Sequence, residues 1–176
     1  MTDTAPPEDL LSRAEEGDAG AQCDMGLWYA QHPAFPGSRD LARQWFGRAG
    51  AQRSGRGLHN LAVMAFQDGD RVEAERLLNE ASATGWALAT FALATMRREA
   101  GDLDGAAALY EVAADQGHPE AEAMVGWQAM QAGTEEGYRT ARALLDKAAA
   151  RGSAAAQVHL ATMFHEGLGM DRDPAL

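Results

Sequence analysis

Ala42-x-x-Trp45-Phe46-x-x-Ala49 is the stretch on which the fold is read, because it returns three times along the chain. It recurs as Ala74-x-x-Leu77-Leu78-x-x-Ala81, as Ala106-x-x-Leu109-Tyr110-x-x-Ala113 and as Ala141-x-x-Leu144-Leu145-x-x-Ala148. Successive copies begin 32, 32 and 35 residues apart. A small–large–large–small octet at that period marks stacked repeats, each burying its apolar face only against its neighbours. Such arrays build binding surfaces more often than active sites.

Eleven residues after the first alanine of each octet stands an anchor: Arg53, Gly85, Gly117 and Gly152, with Gly17 as the corresponding residue upstream. Four residues past each anchor comes a small side chain, in order Ala21, Gly57, Ala89, Ala121 and Ala156. Eight and nine past come large–small pairs: Met25-Gly26, Leu61-Ala62, Leu93-Ala94, Val125-Gly126 and Leu160-Ala161. Offsets of four, eight and eleven share one helical face, and the small residues let a neighbouring helix approach. Each repeat therefore reads as two helices. The first spans about twelve to fourteen residues after the anchor, and the second carries the octet. Gln67-Asp68-Gly69-Asp70 and Glu99-Ala100-Gly101-Asp102 separate them, glycine as the helix stop and aspartate as the next cap. The first repeat has a longer loop, His32 to Gly37, and the fourth carries Gly133 to Gly137.

The pattern resembles the Sel-like repeat family, close kin of the tetratricopeptide repeat. Ala21, Met25-Gly26 and Tyr29 carry the resemblance in the first repeat, and Ala148-Ala149-x-x-Gly152 closes the fourth in the family manner. Leu160-Ala161, Phe164, Gly167-Leu168-Gly169-Met170 and Asp173 give the most faithful loop. The resemblance covers about residues 14–176 and implies an all-α, right-handed α-solenoid of antiparallel helix pairs. The expected organisation is one solenoid domain over 1–176. It has a capping helix at 7–16, repeats at about 17–52, 53–84, 85–116 and 117–151, and a half-repeat at 152–176. That half-repeat leaves an apolar edge through which a second copy could associate.

Composition narrows the function. The 176 residues carry a net charge of −11 with no basic run, which disfavours nucleic acid and anionic membranes as partners. Cys23 is the single cysteine, so no internal disulfide framework forms. Met1 to Asp9 lacks the profile of a signal peptide, and no apolar run approaches the ~20 residues of a membrane span, so a cytoplasmic location is expected. Ile is absent, Lys147 is the only lysine, and Arg and Ala abound, as a GC-rich bacterial genome would give.

Chemistry-bearing residues are sparse. His32, His59, His118, His159 and His165 form no metal motif, and His32 and His118, each before a proline, read as solvated loop residues. Cys23 or His165 could serve a hydrolase, but a small buried thiol is the better reading of Cys23. No cofactor, metal or catalytic group is expected. The first helices of tetratricopeptide-type solenoids line a concave face, and the family implies protein scaffolding there. The offsets opposite the core face place Leu27, Arg56, His59, Val63, Phe66, Phe91, Thr95, Arg98, Trp127 and Met130 on it, with Cys23, Leu88, Ala123 and Val158 at other offsets of the same set. These would form an apolar slot for a peptide or protein segment, with Arg56 and Arg98 for a carboxylate. Met64, Met96 and Met163 fall on the core face. The alternative is a dedicated inhibitor of immunity type, its acidity suited to a basic partner.

Overall fold

The computed structural model describes residues 5–169, so Met170 and Asp173 of the last loop lie outside the described residues. Within them the secondary structure is helical: α1 (Glu8–Glu15), α2 (Ala19–Gln31), α3 (Ser38–Ala51), α4 (Gly55–Gln67), α5 (Arg71–Ser82), α6 (Ala87–Glu99), α7 (Leu103–Asp115), α8 (Pro119–Gln131), α9 (Glu135–Ala150) and α10 (Ala154–Glu166). The first helices of the repeats, α2, α4, α6, α8 and α10, are each 13 residues long. The chain forms two compact units that divide inside α6, after Leu93.

Local chemistry explains why the helices start and stop where they do. Side chains of Asp18, Ser54, Asp70, Asp102, Thr134 and Ser153 accept a backbone N–H three residues on, as N-caps do. The anchors reverse the chain after each second helix with φ of 84° at Gly85, 89° at Gly117 and 90° at Gly152, a region open to glycine at little steric cost. Arg53 adopts the same hand, φ 60°, without that freedom.

In the first unit the small and large positions that define the octets of α3 and α5 are all buried, including Trp45, Phe46, Leu77 and Leu78. Gly26 of α2 lets the Phe46 ring against the helix backbone; a Cβ there would stand 2.4 Å from the ring. Met25, Tyr29, Phe46 and Met64 belong to one core cluster, onto which Leu10 of α1 packs. In the second unit Leu145 lies against Gly126 in the same way, and Met130, Leu145 and Met163 belong to one cluster. Met64 and Met163 are thus packing residues, while Met96 is half-buried.

One buried polar device appears in both units. Gln22 of α2 is buried and accepts Gln52 Nε2 at 2.8 Å, and that amide also reaches the Gly17 carbonyl at 3.0 Å. Glu122 of α8, at the same offset from its anchor, is fully buried. Its carboxylate meets Lys147 Nζ at 2.8 Å and the Arg151 guanidinium, which reaches the Gly117 carbonyl at 2.7 Å. Both pairs tie the end of a second helix back to the preceding anchor.

Two histidines depart from the solvated-loop expectation. His118 is buried as the N-cap of α8, its Nδ1 accepting Ala121 N–H at 3.3 Å. A cap acceptor was needed just before Pro119, and an imidazole supplies one. His32 is half-buried, stacked on Trp28 at 4.0 Å, with Nδ1 2.6 Å from the Trp28 carbonyl oxygen. Phe35 meets the Trp28 and Tyr29 rings edge-on, so the first-repeat loop folds onto its own aromatic cluster.

Candidate functional site

In the first unit, α2 and α4 carry five of the residues expected to bind. Leu27 is half-buried against the core cluster. Arg56 Nη2 lies 2.7 Å from Asp24 Oδ1, so a carboxylate of the neighbouring first helix already holds that guanidinium. His59 is half-buried; its Nδ1 is shielded from solvent without a hydrogen-bond partner among the described residues, and burial pushes the imidazole below its ordinary range. Val63 and Phe66 are exposed, and the Arg71 guanidinium sits 5.3 Å from the Phe66 ring centroid. Leu88, at the start of α6, is exposed as well, whereas Phe91 is half-buried.

In the second unit the Thr95 hydroxyl lies 3.3 Å from that of Tyr110. Arg98 is exposed and Trp127 is 45% exposed, its ring 6.3 Å from that of His159. Met130 is different. It is buried with Leu145 and Met163, because the last turn of α8 is covered by α9, and it packs instead of lining a surface. Cys23 and Ala123 are buried too. Burial pushes the Cys23 thiol upward, which leaves it a poor nucleophile.

Arg98 and Trp127 meet at a cavity of about 140 Å³ within the second unit. Its inner wall is Ala106 and Tyr110 of α7, both buried, and Leu103 and Ala107 continue that wall outward. From α8 come Met124, Val125 and Gln128 beside Trp127. Arg98 and Gln128 are the fully polar residues of the lining, and Tyr110 and Trp127 are aromatic with one polar group each. Four of the lining residues lie on a second helix, where the expectation placed none. Sequence reasoning also missed Asp24, which neutralises Arg56, and the carboxylate Glu122. Among the described residues no group of three or more His, Cys, Asp or Glu side chains could hold a metal ion. No helix among them is long and apolar enough to cross a membrane.

Paired helices, left-handed anchors and buried octet positions define a helical-repeat fold of the solenoid class, the fold seen in Sel1 repeat proteins. The comparisons with solved structures agree. A Sel1 repeat protein from Oxalobacter formigenes superposes with TM-score 0.76 at 22% identity, over 94% of this chain and 72% of that one. The protective antigen c5321 of uropathogenic Escherichia coli, which displays an SLR fold, gives TM-score 0.72 at 22% identity. That match covers 91% of this chain but 36% of the antigen, so the chain spans about a third of that protein's length. MamA gives TM-score 0.51 at 18% identity, over 81% of this chain and 85% of its own. No protein-family model and no curated protein sequence matches the chain.

Proposed function

We propose that this protein is a non-catalytic scaffold that holds a protein or peptide segment against the exposed face of its first helices. One observation carries the reading: each unit leaves bulky apolar side chains of those helices uncovered, Val63 and Phe66 in the first and Trp127 in the second. Solvated aromatic and aliphatic groups on rigid helices are the usual anchors of an interface. The solved structures with this fold support a repeat scaffold as the class.

A photo-crosslinking amino acid at Phe66 or Trp127, compared with one at Glu80 or Asp146 on second helices, tests this in living cells. The expected result is a discrete protein adduct from the first pair of sites and little from the second. Adducts confined to Glu80 and Asp146 would defeat the reading, and a single basic protein captured there would favour an inhibitor instead.

A second copy is a further candidate partner, favoured by α10. Val158 is 63% exposed on it, and Ala161 is exposed where the equivalent Gly26, Ala62 and Gly126 are buried. A monomer mass by light scattering from micromolar to millimolar protein would remove that candidate.

A further inference from the structure

A second helix packs on the next first helix in both units, α3 on α4 and, displaced by 64 residues, α7 on α8. The two junctions are finished in different ways. In the first unit Arg39 and Arg43 of α3 both clasp Asp68, the C-cap of α4. The two guanidinium groups hold the Asp68 carboxyl below the usual carboxylate range, Arg43 foremost. In the second unit the equivalent positions are Leu103, Ala107 and Ala132, so every charged member of that strap is replaced by an apolar one. Val63 likewise becomes Trp127. There the cleft holds the cavity of about 140 Å³, with Leu103 65% exposed at its edge.

We propose that the α7–α8 cleft is an insertion pocket for one phenyl-sized apolar side chain of a protein partner, with an acidic residue beside that anchor meeting Arg98. The proposal rests on the protein-binding reading above and names the partner's chemistry. Size sets the anchor, since an apolar cavity of about 150 Å³ accepts a benzene ring. Trp127, Met124 and Leu103 offer such a group aromatic, thioether and aliphatic contacts. Charge sets its neighbour. Arg98 is the single charged side chain among the residues lining the cavity, so a carboxylate beside the anchor is the group with a charge partner there.

The test is an NMR titration with 3-phenylpropionate, 3-phenylpropan-1-ol and 3-phenylpropylamine, read at the Met124 methyl and Trp127 indole signals. Saturable shifts are expected, with the carboxylate binding at least threefold tighter than the alcohol and the amine weakest. Arg98→Gln should equalise the three. Leu103→Arg with Ala107→Arg and Ala132→Asp should install the first unit's strap and abolish the shifts. Should that triple variant fail to fold, Ala107→Met fills the cavity with one side chain and should abolish them alone. Absence of shifts in the natural protein, or shifts that persist with Ala107→Met, overturns the pocket. Protein adducts at Trp127 that survive Ala107→Met overturn the pocket while leaving the scaffold reading intact. Probe binding without any adduct at Trp127 or Phe66 overturns both.

Discussion

Arg53 holds a left-handed backbone, φ 60°, where the neighbouring repeats place glycine. For a residue with a Cβ that conformation costs about 1 kcal/mol, and the exposed side chain has no core contact to offset it. Arg53→Gly should therefore raise stability by up to about 1 kcal/mol in urea unfolding, less the added chain entropy. His59 and His118 work in the opposite sense. Burial holds both imidazoles below the ordinary histidine value of about 6.5, so the unfolded chain takes up protons first as pH falls. Stability should be full above about pH 7 and decline below about pH 6.5, by at most about 1.4 kcal/mol per pH unit for each histidine. Protonated His118 would also lose the Nδ1 lone pair that caps α8. His118→Asn keeps a cap acceptor, so its unfolding midpoint should match the parent at pH 7.5 and fall less at pH 5.5.

Between elements, small residues decide where helices touch. Gly26 sits under the Phe46 ring, and Gly26→Ala should cost about 1–3 kcal/mol by overpacking the α2–α3 contact. Gly47 lies in α3 with nothing near its missing Cβ, so Gly47→Ala should instead stabilise by roughly 0.5–1 kcal/mol. The α8–α9 contact adds a charge cluster to its apolar packing. Glu122→Ala removes the buried carboxylate that Lys147 and Arg151 share and returns both cations to solvent, so it should cost about 1–3 kcal/mol in thermal or urea unfolding. Glu122→Gln with Arg151→Gln copies the Gln22–Gln52 pair and should restore most of that loss. The helices themselves were legible in the sequence, because octet and anchor repeat a physical requirement for close approach. The partners of charged residues were not. Arg56 reads as a free cation until Asp24, one repeat away, is seen beside it, and Met130 reads as surface until α9 covers it. The α7–α8 cavity did leave a trace in the sequence. Arg39, Arg43 and Asp68 become Leu103, Ala107 and Ala132 at a constant spacing of 64 residues, a change visible only once second helices are compared with each other.

At the scale of the whole molecule, 26 acidic side chains face 15 basic ones. Self-repulsion at that imbalance opposes compaction and is screened by salt. Raising ionic strength from about 0.01 to 0.15 M should raise the thermal midpoint by a few degrees, even though exposed pairs such as Arg76–Glu73 weaken. The repeat class was legible at this scale because every repeat restates it, whereas the identity of a partner leaves no periodic mark. One more property follows from Cys23, the single thiol. It is fully buried on α2, with Sγ 3.5 Å from the Ser54 hydroxyl that caps α4. A thiol reagent can reach it only when those two helices part. Its labelling rate is therefore a clock on the opening of the first unit, readable in the unmodified protein and slowed by any partner that fastens α2 to α4.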